Sequence, residues 1–404
     1  MSELSPPGGS ERYGACDDEG AAPCGRPQSL PPTGGKVAFA EQMTDEGADE
    51  RGITFVGTLI SLASLDSFPL PGGSLFAVPA AADPPPFQLI HRILLVISSA
   101  LHYNKITAGR GARARDFDER ENAMTASEKK ELMTAACHVR MDIIRAVHAA
   151  KSGHPGGSLS AADLFTYLYQ RELRVDPANP KWPDRDRFVL SKGHTAPGLY
   201  AVLAERGFFP VEELETLRHI GSDLQGHPNM NETPGVDMST GSLGQGISAA
   251  CGMALSAKYL GKDCRVYALL GDGEIQEGEV WEAFMFAHHY KLDNLCAVID
   301  NNGLQIDGNI ADVMSPYPIP DKLRAFGWAV AEIDGHDFDQ MEAAFAQAKA
   351  TKGVPFAIVM KTVKGKGVSF MENQAGWHGK APNDQEYETA MAELSARLAE
   401  VEAM

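Results

Sequence analysis

The chain has 404 residues, 44% hydrophobic and 22% charged, enough to bury one large core or two ordinary ones. A formal net charge of -18 argues against capture of nucleic acid or an anionic membrane by general electrostatics, so an anionic ligand needs a local device. The six cysteines (Cys16, Cys24, Cys137, Cys251, Cys264 and Cys296) form no CxxC pair and no regular spacing, which argues against zinc and a disulfide framework and for a reducing, cytoplasmic compartment.

Residues 1–50 are acidic and rich in glycine and proline, without the basic and apolar regions of a secretory signal. The stretch "FQLIHRILLVISSALHY" (87–103) contains His91 and Arg92, and its apolar run is too short to cross a bilayer. Residues 1–123 read as an unstructured extension, or as translation begun upstream of the true first codon. Met124 opens "MTASEKKELMTAA" like a natural start: Thr125 or Ser127 can cap a helix, and Glu128 and Glu131 suit its positive end. From 129 onward Leu132, Ala136, Val139, Ile143 and Val147 fall near helical spacing, and Gly153 supplies the stop.

Short apolar runs then predict strands: "RFVLS" (187–191), "RVYALL" (265–270), "LCAVID" (295–300), "WAVAEID" (328–334) and "PFAIVMKT" (355–362). The last four lack in-out alternation, as parallel strands covered on both faces do. Helices fit at 279–291, 320–327 and 338–351, and 384–402 packs outside. The predicted fold is α/β, a parallel sheet with helices on both faces, in one domain over 124–404.

Unusual residues follow the strand ends: "GDG" after RVYALL, "NNG" after LCAVID, "GHD" after WAVAEID and "VKGKG" after PFAIVMKT. Ligands bind at the carboxyl ends of an open parallel sheet, so one crevice lined by all four loops is expected. The glycines around Asp272 allow close backbone approach to a ligand. Asp272, Asn302 and a neighbouring carbonyl make a half-shell of hard oxygens suited to Mg²⁺ or Ca²⁺ bridging to a diphosphate. Either turn alone reads as an ordinary turn; the two at successive strand ends are far more specific.

GDG followed after about thirty residues by NN is the thiamine-diphosphate fingerprint, and "GDGEIQEGEVWEA" with "IDNNGLQIDG" resembles transketolase. The resemblance covers about 129–402 and includes "SGHPGGSLS" (152–160), "RFVLSKGH" (187–194), "QGHP" (225–228), "STGSLGQGIS" (239–248) and "GWHG" (376–379). It implies that Asp272, Asn302 and the carbonyl of Leu304 hold the metal, and that Gly271 and Gly273 admit the diphosphate. His154, His194, His227 and His378 match the active-site histidines around the thiazolium and the sugar hydroxyls, with His194 and His378 also near the diphosphate. Imidazoles suit ketol transfer, which moves protons to and from alkoxides near neutral pH. Gly241, Leu243 and Gly244 match the loop under the cofactor's pyrimidine; Ser242 stands where many full-length members have proline. Glu277 matches a glutamate that meets its counterpart across a subunit interface, whereas Glu279 and Glu282 read equally as interface residues or as residues favouring a helix start.

His138, His148, His288 and His289 lie in predicted helices and are assigned to structure, and His336 in "DGHD" stays open. Lys364 and Lys366 fit either a phosphate contact or a solvated glycine-rich turn. The family's activating glutamate belongs to a separate pyrimidine-binding domain, for which this sequence leaves no room after GWHG. The expectation is therefore the amino-terminal subunit of a split transketolase, which joins a carboxy-terminal partner subunit in a self-associated heterotetramer. It would move a two-carbon ketol unit from a ketose phosphate to an aldose phosphate. Alternatives are a 2-oxo acid dehydrogenase or deoxyxylulose-phosphate synthase component, which share GDG and NN, and a non-catalytic paralogue.

Overall fold

The computed structural model describes residues 124–404. The expectations for residues 1–123, including the 87–103 stretch, Cys16 and Cys24, lie outside the described residues.

Helix α1 (Ala126–Ala150) begins at Thr125, whose hydroxyl accepts the Glu128 N–H at 3.2 Å while the Glu128 carboxylate accepts the Thr125 N–H at 2.8 Å, a reciprocal cap. Its buried stripe contains the five apolar residues expected from their spacing. The helix stops at Ala150, earlier than Gly153, because Lys151 takes the left-handed conformation (φ 49) and closes the last turn. Gly153 (φ 148) instead reverses the chain against α1, where a Cβ would come within 2.9 Å of Val147 Cγ2. Two short buried helices follow, α2 (Pro155–Ser160) and α3 (Ala162–Tyr167), the latter continuing into a wider turn over Leu168–Glu172.

The remaining elements are β1 (Arg187–Leu190), α4 (Ala196–Arg206), α5 (Gln245–Tyr259), β2 (Val266–Gly271), α6 (Gly278–His289), β3 (Leu295–Asn301), the small hairpin β4 (Leu304–Gln305) and β5 (Gly308–Asn309), α7 (Ile310–Val313), α8 (Ile319–Ala325), β6 (Ala329–Asp334), α9 (Phe338–Ala350), β7 (Phe356–Lys361) and α10 (Asp384–Glu402). Five strands form one parallel sheet in the order β1-β2-β3-β7-β6. Alternate residues of the inner strands face opposite sides. Tyr267, Leu269, Cys296, Val298 and Ile358 enter one core with residues of α1, α3, α4, α9 and α10; Ala268, Leu270, Ala297, Ile299 and Val359 enter another with residues of α5, α6 and α8. Inner strands are thus apolar throughout because both faces are covered. The edge strand β6 departs from that expectation: it is half-buried, and Glu332 and Asp334 are exposed.

The final helix α10 packs along α1 through Ala390, Leu394 and Val401, and its start repeats the reciprocal cap, with Asn383 and Glu386. No described helix is long and apolar enough to cross a membrane. Cys137, Cys251, Cys264 and Cys296 are buried free thiols.

Candidate active site

Parallel register aligns the strand ends: Gly271 of β2 pairs with Asp300 of β3, and Asn301 pairs with Lys361 of β7. A cavity of about 370 Å³ opens there, lined by residues that follow β1, β2, β3 and β7 and by the Gly241–Leu243 loop. His194, Gly241, Leu243, Gly271, Asp272, Gly273, Glu277, Asn302, Leu304 and His378 all line it. The expected set of loops needs one correction. The "GHD" loop is elsewhere because β6 lies beyond β7 at the sheet edge, and the "SKGH" segment after β1 completes the wall.

Asp272 bridges two strand ends: Oδ1 accepts the Gly273 N–H at 2.9 Å and Oδ2 the Gly303 N–H at 2.6 Å. Burial, reinforced by the charge of Asp300, pushes its pKa up to about 6. Asn302 Oδ1 accepts the Leu304 N–H at 3.1 Å, and its amide nitrogen donates to Asp300 at 3.3 Å. The Leu304 carbonyl accepts from Lys364 Nζ at 3.2 Å.

Beneath this trio lies an ion pair that sequence reasoning missed. Asp300 is fully buried and accepts from Lys192 Nζ and from the hydroxyls of Ser160 and Thr362. Burial raises the Asp300 pKa, but Lys192 and these hydrogen bonds outweigh it and hold the carboxyl below its ordinary value. Glu274 was also missed. Its buried carboxylate accepts from the Ser191 hydroxyl and from the N–H groups of Gly244 and Gly271, both at 3.0 Å, tying the ends of β1 and β2 to the start of α5. Burial raises its pKa. Glu277, Glu279 and Glu282 are exposed.

Three histidines cluster, of which His194 and His378 line the cavity, whereas His154 and His227 are not among its lining residues. The ring centroids of His154 and His194 are 5.3 Å apart, those of His154 and His378 5.5 Å, and those of His194 and His378 5.1 Å in a stacked pair. His227 adjoins them: a Cβ on Gly241 (φ 155) would sit 3.1 Å from its ring, so that loop must carry glycine. Burial, then Arg218, pushes the His154 pKa down to about 4; burial, then Lys364, pushes that of His378 down to about 3. Burial, then Lys192, holds His194 well below its ordinary value, and burial followed by Arg218 lowers His227. Each ring is thereby biased toward its neutral form, which donates through one nitrogen and accepts through the other.

Of the undecided residues, Lys364 belongs to the cavity: its Nζ donates to His378 Nδ1 at 2.8 Å, and burial lowers its pKa to about 8. Lys366 takes the turn role and pairs with Glu372 at 3.4 Å. His336 is structural, donating from Nδ1 to Asp163 at 2.7 Å and accepting the Val363 N–H on Nε2 at 3.0 Å. His148 bonds Asp384 at 2.8 Å, and His138, His288 and His289 stay on their helices away from the cavity.

Residues 131–398 match the family model described as "Transketolase, thiamine diphosphate binding domain". The chain is 48% identical over 242 residues to the 6-deoxy-6-sulfo-D-fructose transketolase subunit SqwG of Clostridium sp. (strain MSTE9), an alignment covering 60% of this chain and 88% of that protein. It is 44% identical over 263 residues to one of the named subunits of the apulose-4-phosphate transketolase of Phocaeicola vulgatus, covering 65% of this chain and 93% of that protein. Among solved structures, the transketolase of Campylobacter jejuni aligns with a TM-score of 0.61 and 30% identity, over 69% of this chain and 46% of that one. The chain thus spans less than half of that transketolase. These relatives favour transketolase over the 2-oxo acid dehydrogenase and deoxyxylulose-phosphate synthase readings. With a parallel sheet, aligned strand ends and a family match over most of the described residues, the chain belongs to the transketolase family, through its thiamine-diphosphate-binding domain.

Proposed function

We propose that this chain is the cofactor-binding subunit of a split transketolase, which moves a two-carbon ketol unit from a ketose phosphate to an aldose phosphate. The observation that carries the reading is the convergence of Asp272, Asn302, the Leu304 carbonyl, Lys364 and the stacked His194 and His378 at the ends of adjacent strands.

The residues present fit thiamine diphosphate with Mg²⁺ or Ca²⁺. Asp272 is a buried carboxylate with a raised pKa, so a divalent cation would favour its ionised form. Asn302 Oδ1 and the Leu304 carbonyl add neutral hard oxygens. Gly271 and Gly273 leave room for a diphosphate, which His194, His378 and Lys364 would meet; Gly241 and Leu243 form the floor for a pyrimidine. When bound, the cofactor supplies the nucleophilic carbon that adds to the ketose carbonyl.

The chain's own groups would then orient the sugar and handle its protons. His154, packed against the cavity-lining His194, and His227, beside Gly241, would hold hydroxyl groups of a sugar, since neutral imidazoles can donate to a developing alkoxide and take its proton back. The Lys192–Asp300 pair stiffens the floor below Asn302 and Asp272.

Support for a partner comes from the two relatives named as subunits, of whose lengths this chain covers 88% and 93%. The partner would be a carboxy-terminal subunit carrying the pyrimidine-binding domain and its activating glutamate, met by the exposed Glu277 in a heterotetramer. A cytoplasmic location, an ordered domain over 124–404 and sugar-phosphate substrates complete the proposal. Co-expression with a candidate partner, followed by assay on xylulose 5-phosphate plus ribose 5-phosphate and related ketose donors, tests it. Turnover that requires both chains is expected; activity on pyruvate alone would overturn it.

A further inference from the structure

Arg218 lies just past the short turn Val211–Thr216, with a left-handed backbone (φ 61) and its N–H donating to Leu224 O at 2.8 Å. That unusual conformation aims a long cationic side chain at the turn after α1. Nη1 donates to Ser152 Oγ at 2.7 Å, and Nη2 points at His154 Nδ1 at 3.4 Å. The guanidinium lies against Gly226, where a Cβ would come within 3.0 Å of Nε, and Nε itself is shielded from solvent without a partner. Arg218 therefore joins the SGHPG segment, through Ser152 and His154, to the glycine of QGHP.

A guanidinium has only donors and stays protonated. His154 Nδ1 facing it must accept, and a neutral imidazole that accepts on Nδ1 carries its hydrogen on Nε2. The doubly protonated ring is disfavoured first by burial, then by Arg218 itself, His227 and Lys364, and the rings of His194 and His378 lie 5.3 and 5.5 Å away. We propose that Arg218 is a positioning residue that fixes His154 as the Nε2–H tautomer, so that this imidazole meets the substrate as a hydrogen-bond donor. Its consequence for the reaction rests on the ketol-transfer reading: His154 polarises a sugar oxygen and cannot accept a proton on Nε2 until it has given one up.

The test reads the tautomer directly, by long-range ¹H–¹⁵N correlation on the full chain carrying ¹⁵N-histidine, with the His154 signal assigned from His154→Asn. His336 is an internal control, because Asp163 and the Val363 N–H fix it as the opposite, Nδ1–H form. Wild type is expected to show the Nε2–H pattern at His154. Arg218→Met and Gly226→Ala, which displaces the guanidinium, should each convert it to a mixture while His336 is unchanged, and Arg218→Lys should restore it in part. An Nδ1–H pattern in the wild type, or an unaltered His154 signal in Arg218→Met with His336 intact, overturns the proposal. Should Arg218→Met fail to fold, the wild type and Gly226→Ala decide. In the reconstituted enzyme Arg218→Met should lower kcat about tenfold, with less effect on the sugar KM. Absence of ketol transfer in a wild type that shows the expected tautomer would count against the reaction and leave the role of Arg218 standing.

Discussion

Lys364 holds its ammonium 3.2 Å from the Leu304 carbonyl and 2.8 Å from His378 Nδ1, placing a buried cation between a proposed metal ligand and a proposed diphosphate-binding histidine. A lysine in that position serves the ligand at the expense of the free chain. Its pKa falls to about 8 because burial penalises the charged form.

Lys364→Met should therefore move stability and binding in opposite directions. Between a folded pKa near 8 and the higher ordinary lysine value, the unfolded chain binds more protons, so wild-type stability rises with pH across that window. Below it the charged side chain is buried at a cost of about 3 kcal/mol. Thermal unfolding of the free variant should occur at higher temperature at neutral pH, with the advantage shrinking as pH rises past about 8. Titration calorimetry of thiamine diphosphate with Mg²⁺ into the assembled protein should show affinity lowered about tenfold or more. Unchanged affinity would remove Lys364 from the site.

Asp272 has the opposite charge and the same logic. Its folded pKa is raised to about 6 by burial and by Asp300, so the folded chain binds more protons than the unfolded one between the ordinary carboxylate value and 6. Stability of the free chain falls as pH rises through that window. A divalent cation held by the ionised carboxylate would recover the loss. Mg²⁺ with thiamine diphosphate should raise the melting temperature of the assembled protein at pH above about 7 far more than at pH about 5. Asp272→Asn should abolish the difference. A metal response in Asp272→Asn equal to that of wild type would show the cation to be bound elsewhere.

The buried pair Arg140–Asp163, bidentate at 2.9 and 2.6 Å with His336 as a third member, is architectural. Arg140→Met should cost about 3–5 kcal/mol in urea unfolding, because it strands a buried carboxylate. The double variant Arg140→Met with Asp163→Leu should recover much of that. His336→Gln should leave thiamine-diphosphate affinity within about twofold of wild type; a larger loss would return His336 to the site.

Inner strands were legible to within one or two residues because two covered faces leave an uninterrupted apolar run, as in Ala268–Leu270 and Ala297–Ile299. The edge position of β6 was not legible. A run such as "WAVAEID" marks a strand but carries no information on its neighbours, so the GHD loop was expected in a crevice from which sheet order excludes it. Motifs with short spacing and glycine requirements, around Asp272, Asn302 and His194, identified most of the cavity wall. Lys192 and Asp300 are 108 residues apart, and nothing local marks either as half of a buried pair. Within one acidic run, Glu274 is buried and Glu277 exposed, a difference of one helical turn that composition alone does not resolve.

Helix α6 offers the surface on which the proposed partner would be most sensitive to change. Glu279, Glu282, Met285, Phe286 and His289 are exposed at helical spacing, and the two apolar residues are 54% and 37% accessible. Tyr290 follows at the helix end, and Lys258 Nζ donates to Lys291 O at 2.6 Å, bringing the end of α5 alongside. Tyr259 and Leu260, at that end of α5, are 85% and 58% accessible. Isolated exposed hydrophobics need no explanation, but the exposed Phe286 and Tyr290 rings, with centroids 4.5 Å apart on the helix that follows the cavity-lining Glu277, suit a surface covered in an assembly. Phe286→Glu should leave the fold intact, since the ring is not part of either core, and should weaken association by about 2 kcal/mol or more through a buried unpaired charge. Sedimentation of the co-expressed pair would read this as dissociation at concentrations where wild type stays assembled. Co-sedimentation equal to wild type would exclude α6 from the interface.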